Sequence, residues 1–179
     1  EKRGLLNLRT TPDALPKILD KKNVEMLTSL KVFTEAEIRS RYEITLENYC
    51  KTVNIEALTM VDMTKKEILP AIESYIKELS KTASLKVEAV PGLTSKYESE
   101  TISRLSLLSD EIYTAVCDLE KSLVELKTAS DITEESVMIR DVILNKMAAL
   151  RVPCDEAETL TAEKYWPFPT YGELLFGVK

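Results

Sequence analysis

The chain contains no histidine among its 179 residues. That absence removes Ser-His-Asp and Cys-His catalysis, the zincin motifs and the most common metal ligand together. Glycine is nearly as scarce, at four residues. No G-x-G-x-x-G or P-loop pattern can be assembled from them, so neither nucleotide-binding motif is present. So few glycines also argue against an all-β fold with many tight turns. The three cysteines, Cys50, Cys117 and Cys154, are far apart and lack C-x-x-C spacing. They make neither a zinc nor a dithiol redox motif, and an odd count favours a reducing compartment. No run of about 18 apolar residues is long enough for a bilayer, and Glu1 to Arg9 has no signal-peptide hydrophobic region. A cytoplasmic location is therefore expected, with no membrane partner. The first residue is not methionine, which suggests that a longer parent protein precedes it.

What is present is the balance of a folded chain, 44% hydrophobic and 30% charged. Lysine and arginine number 24 against 30 acidic residues, a net charge of −6. No basic patch is dense enough to follow a phosphate backbone, so nucleic acid is not an expected partner.

Periodicity predicts an all-α fold. Tyr42, Leu46, Tyr49, Val53, Ala57 and Met60 keep helical spacing, and Ile68, Ile72, Tyr75, Leu79, Ala83, Val87 and Val90 resume it. Together these predict one helix from Thr34 to about Val90, roughly 80 Å long at 1.5 Å per residue. Thr34 and Glu37 have capping-box spacing, and Phe33 is placed to staple onto Ile38. Pro70 lies within the pattern and predicts a kink in the turn before it. Pro91 and Gly92 predict a reversal. A second long helix is expected over Leu93 to Ala129, with Leu105, Leu108, Ile112, Val116, Leu119, Leu123 and Leu126 facing a core and Thr94 or Ser95 as cap. After a short turn, with Asp131 or Thr133 as cap, Ile139, Val142, Ile143, Met147 and Leu150 form a third stripe. Val152 and Pro153 are expected to interrupt it, leaving a short helical segment over Asp155 to Ala162. The predicted architecture is an elongated up-down-up antiparallel bundle, residues 34–162. It is preceded by a connector with short helices, residues 1–33, where Thr11 and Pro12 suit a helix start and Asn23 a second cap. An aromatic tail follows, residues 163–179.

Candidates for chemistry are few. Glu56 and Asp62 sit among apolar residues and are the carboxylates that a metal bundle would use, but Glu-x-x-His is missing and a solvated helix flank explains them more simply. The methionines and Cys117 fit a core. No catalytic, cofactor-binding or metal-ligating residue is assigned. The tail stands apart. Tyr165 to Phe176 reads YWPFPTYGELLF and gathers the only tryptophan and two of the three phenylalanines. Two prolines stiffen it, so its rings lose little entropy on docking. A strip of this kind must be covered, by its own bundle or by another surface. Trp166, Phe168, Tyr171 and Phe176 are the candidate interaction residues.

The tail resembles the C-terminal signature of the type III glutamine synthetases, long bacterial enzymes ending in Tyr-Trp-Pro-x-Pro-Thr-Tyr-x-x-Leu-Leu-Phe. Asn7 to Pro16, NLRTTPDALP, is similar to the same family. So are Phe33 to Glu35, Ser40 to Glu43, and Asn54 to Met60, NIEALTM. The resemblance implies a non-catalytic C-terminal piece of an enzyme that ligates ammonia to glutamate at the expense of ATP. In that family, ATP and the Mg or Mn ions belong to upstream domains, so no cofactor is expected in this chain and the chain alone is expected to be inactive. The partners implied are the catalytic domain of the same polypeptide and neighbouring subunits of a double-ring dodecamer. The alternative from another class is a free-standing helical adaptor that binds a partner protein through the tail.

Overall fold

The computed structural model describes residues 2–90 and 92–177, with the side chain of Tyr171 outside the description. Among the described residues the architecture is helical throughout and contains no strand. These residues form eight described α-helices in chain order: α1 Thr11–Ala14, α2 Lys21–Ser29, α3 Glu35–Met63, α4 Leu69–Ala89, α5 Lys96–Leu126, α6 Ile132–Met138, α7 Leu144–Leu160 and α8 Tyr171–Phe176. A 3-10 helix, Leu15–Leu19, follows α1, and π-helical turns join α3 to α4 and α6 to α7.

The start of the chain is built from caps. Thr10, not Thr11, is the N-cap of α1, accepting from the Asp13 amide at 3.4 Å, and Pro12 sits in the first turn. Pro16 has no amide to continue an α-helix, so the next turn, Leu15–Leu19, tightens to 3-10 geometry. Asn23 does not cap a helix; α2 already begins at Lys21, and the Asn23 side-chain Nδ2 donates to the Lys17 carbonyl at 2.6 Å. At α3 the capping box forms as expected. The Thr34 amide donates to Glu37 Oε2 at 2.7 Å and the Glu37 amide to Thr34 Oγ1 at 3.3 Å. The ring of Phe33 carries the Arg41 guanidinium 4.5 Å from its centroid.

Helix α3, the turn Thr64–Ile68 and α4 succeed one another without a break. The turn lies where Pro70 was expected to disturb the helix. Pro70 has no amide for the carbonyl four residues back, and one wider turn absorbs the mismatch, with the Leu69 amide reaching the Thr64 carbonyl five residues back. The Thr64 hydroxyl donates to the Met60 carbonyl at 2.7 Å. Helix α4 stops at Ala89; Val90 is extended, and Gly92 takes φ +92, which favours glycine. Pro91, expected to help break the helix, lies outside the described residues.

Pro153 corrects an expectation. The helix does not stop at Val152 but continues through Pro153 to Leu160 as α7. A proline inside a helix costs about 3 kcal/mol. Here Pro153 is itself buried with Leu150, Cys154 and Ala157, so the turn containing it is held by packing.

Cα packing divides the chain into two compact units, residues 1–57 with 121–145 and residues 58–120 with 146–179. The first has Ile38, Leu46, Cys50, Val53 and Ala57 of α3 in its interior, with Leu123, Leu126, Ile139 and Ile143. Arg140, in the π turn Ile139–Ile143, pairs with Asp13 of α1 and with Asp141. The interior of the second comprises Ile68, Ile72, Tyr75 and Leu79, then Leu105, Leu108, Ile112, Val116 and Leu119, then Leu150, Cys154 and Ala157. Within it, Lys65 pairs with Glu120 and Lys86 with Glu98, while Asp118 pairs with Lys146 and Glu156 with Arg104. In both sets one partner's number rises as the other's falls, so α4 and α7 each run antiparallel to α5. Arg104 is bidentate, with Nε and Nη2 each 2.6 Å from a Glu156 oxygen. Of the predicted stripes, Tyr42, Tyr49, Met60, Ala83 and Met147 are half-buried, Val87, Val90 and Val142 are exposed, and the others are buried.

The paired carboxylates make stability depend on pH. Lys86 holds the Glu98 carboxyl below its ordinary value of 4.5, and Arg104 does the same for Glu156. Glu37 and Glu134 are lowered by hydrogen bonds from Thr34 and Ser130. The native state therefore binds these protons more weakly than the unfolded chain. Their contribution is complete above pH 4.5 and is lost as pH falls from there through the depressed values. Thermal unfolding followed by circular dichroism should show a melting temperature that declines below about pH 5. A melting temperature unchanged down to about pH 3 would contradict this.

Candidate interaction surface

The tail begins where α7 ends. Two turn hydrogen bonds, Tyr165 amide to Ala162 carbonyl at 2.8 Å and Trp166 amide to Glu163 carbonyl at 3.1 Å, redirect the chain after Thr161. The Tyr165 ring then lies 5.4 Å from that of Tyr75 on α4, and Lys164 Nζ sits 4.7 Å over the Tyr165 ring on its own segment. Tyr75 is buried, and its hydroxyl shares a 2.9 Å hydrogen bond with that of Tyr97 on α5. Burial, first, and the Tyr97 hydrogen bond push the Tyr75 phenol up to about 12, so it is neutral at physiological pH. Three tyrosines from α4, α5 and the tail thus pin the start of the tail to its own unit.

Trp166 and Phe168 follow, half-buried, with ring centroids 6.2 Å apart and planes at 79°. Thr170 closes a capping box with Glu173: the Thr170 amide donates to Glu173 Oε2 at 2.8 Å and the Glu173 amide to Thr170 Oγ1 at 3.2 Å. Tyr171 opens α8, its side chain lying outside the description. Beyond it Leu174, Leu175 and Phe176 are 66%, 72% and 81% exposed. Of the four candidate residues, then, Trp166 and Phe168 touch each other near the docked end of the tail, and Phe176 projects at the other. Sequence reasoning missed Tyr75 and Tyr97. The available signal was the Tyr75 hydroxyl, a polar group at a core position of the stripe that needs a partner when buried.

Nothing else in the described residues is arranged for chemistry. Glu56 is exposed, and Asp62 is exposed and ion-paired with Lys66 one turn on. No group of three or more His, Cys, Asp or Glu that could hold a metal ion stands together among the described residues. Cys50 and Cys154 are buried free thiols, pushed up by burial to about 11 and thus poor nucleophiles. Cys117, expected in the core, is half-buried. No described helix is long and apolar enough to cross a membrane.

A family model described as the glutamine synthetase C-terminal domain matches residues 1–88. The chain is 36% identical over 178 residues to a glutamine synthetase of Butyrivibrio fibrisolvens, an alignment covering 99% of this chain and 25% of that protein. It is 28% identical over 178 residues to a type-3 glutamine synthetase of Dictyostelium discoideum, covering 97% and 24%. A glutamine synthetase of Bacteroides fragilis (strain YCH46) is 26% identical over 179 residues, covering 98% and 25%. The Dictyostelium relative extends the likeness beyond the bacterial enzymes. The chain spans about a quarter of the length of the curated relatives it matches. The signature motifs, the helical architecture, the family model over residues 1–88 and the alignments over nearly all of its length agree: the chain is similar to the glutamine synthetase C-terminal domain.

Proposed function

We propose that this chain is the non-catalytic helical domain of a type III glutamine synthetase and that its tail supplies a contact between subunits of the parent oligomer. The parent would ligate ammonia to glutamate with ATP in upstream domains. This domain would contribute packing and assembly, in the dodecamer that the type III likeness implies. The observation that carries the reading is the division of the tail. Tyr165 docks on Tyr75, whereas Leu174, Leu175 and Phe176 stand in solvent on a helix whose start is fixed by a capping box. Adjacent apolar side chains held in one place and left uncovered suit a protein contact.

The non-catalytic half of the reading has a direct test. The purified 179-residue chain, incubated with glutamate, ammonium, ATP and Mg, is expected to form no glutamine. Turnover by the pure chain would overturn the assignment.

A further inference from the structure

The buried stripe of α4 outruns its cover. Ile72, Tyr75 and Leu79 lie in the interior of the second unit, and the same helical spacing continues through half-buried Ala83 to Val87 and Val90, which are exposed. Leu93, in the turn to α5, and Tyr97, in the first turn of α5, are exposed as well.

The register of the ion pairs gives the reason. Glu156 of α7 meets Arg104 of α5, and Lys86 of α4 meets Glu98 of α5. Since α4 and α7 both run antiparallel to α5, the end of α7 at Leu160 falls at about the level of Ser84 on α4. There the chain turns away, and Tyr165 docks earlier on the stripe, against Tyr75. The stretch from Ser84 to Val90, about 9 Å at 1.5 Å per residue, therefore stands beyond the end of α7. Flanking charges are paired internally, Lys86 with Glu98 and Lys96 with Glu100, which leaves Val87, Val90, Leu93 and Tyr97 as an apolar corner.

We infer that this corner receives α8 of a neighbouring subunit. The inference rests on the subunit contact proposed above for the tail and names its acceptor. Three observations select α8 as the occupant. Its six residues span about 9 Å, the length that α7 leaves uncovered. It presents Leu174, Leu175 and Phe176 to solvent, while its one acid, Glu173, is engaged in the capping box. The corner also continues the surface on which the tail already docks, because the Tyr97 hydroxyl shares its hydrogen bond with Tyr75, whose ring meets that of Tyr165. A subunit's own α8 does not fill its corner, since both apolar faces are exposed in the same chain.

The test is sedimentation velocity of the complete synthetase carrying Val90→Asp, Leu175→Lys or both. Each single variant is expected to lose about tenfold or more in association, the scale of one buried aliphatic side chain. The double variant should associate at least as well as the weaker single variant, because the two changes fall in one contact and their charges attract. Leu175→Lys without effect would remove the tail contact itself, and the acceptor with it. Dissociation by Leu175→Lys but not by Val90→Asp would overturn the corner alone and leave the tail contact standing. So would a double loss equal to the product of the single losses, which marks two separate contacts. In the 179-residue chain, Val90→Asp should leave the melting temperature unchanged. A lowered value would mean that Val90 is covered within its own subunit, and would overturn the inference as well.

Discussion

Leu108→Ala is expected to destabilise the chain by about 2–5 kcal/mol, whereas Leu107→Ala, one position away, should change stability by no more than ~0.5 kcal/mol. The residue type is the same, and so is the local helix propensity. Only the direction differs. Leu108 is 0% exposed in the row Leu105, Leu108, Ile112 and Val116, and Leu107, turned about 100° away on α5, is 56% exposed. Truncating Leu108 removes apolar contact and leaves a void that close-packed neighbours fill only in part. Truncating Leu107 removes atoms that already face water. Urea unfolding of the two variants and the parent checks both values. Equal effects would mean that α5 does not present the face assigned to it.

That contrast also shows which parts of the structure were legible. Burial by helical period depends on a spacing written in consecutive residues, and every position from Leu105 to Leu126 in the predicted stripe is buried. The Thr34 box was equally visible, because its two hydrogen bonds join residues three apart. The failures lie where distant packing decides. Pro153 carries a local signal to end a helix, and burial beside Leu150, Cys154 and Ala157 overrides it. Pro70 was recognised as a disturbance, but a π turn as the means of absorbing it has no local signature. Val87 and Val90 kept the period of α4 yet are exposed, since the period marks a face and not whether something covers it.

The same limit applies to the tail. Its composition marked Tyr165 to Phe176 as a strip requiring cover, but only the structure separates a docked start from an exposed end. Tyr75 and Tyr97 are 22 residues apart in sequence, and Tyr165 is more distant still. No local pattern joins the three.

The second large effect concerns the exposed end. Fully burying a leucine or phenylalanine side chain contributes about 1.5–3 kcal/mol. Leu175 and Phe176, at 72% and 81% exposure, gain most of that if a neighbouring subunit covers them. Leu175→Asp with Phe176→Asp would remove roughly 3–6 kcal/mol from each such contact, about a 10²- to 10⁴-fold loss in association, before the cost of placing carboxylates in an apolar interface is added. The isolated fold should be indifferent, because both side chains already stand in water. The circular dichroism spectrum and melting temperature of the 179-residue double variant should therefore match those of the parent chain.

Sedimentation velocity of the complete synthetase, with and without Leu175→Asp and Phe176→Asp, tests the assembly role most directly. The role assigned to α8 predicts that the double variant sediments as smaller species at concentrations where the unaltered enzyme is fully assembled. An unchanged sedimentation coefficient across that range would contradict it and remove the tail from the subunit contact.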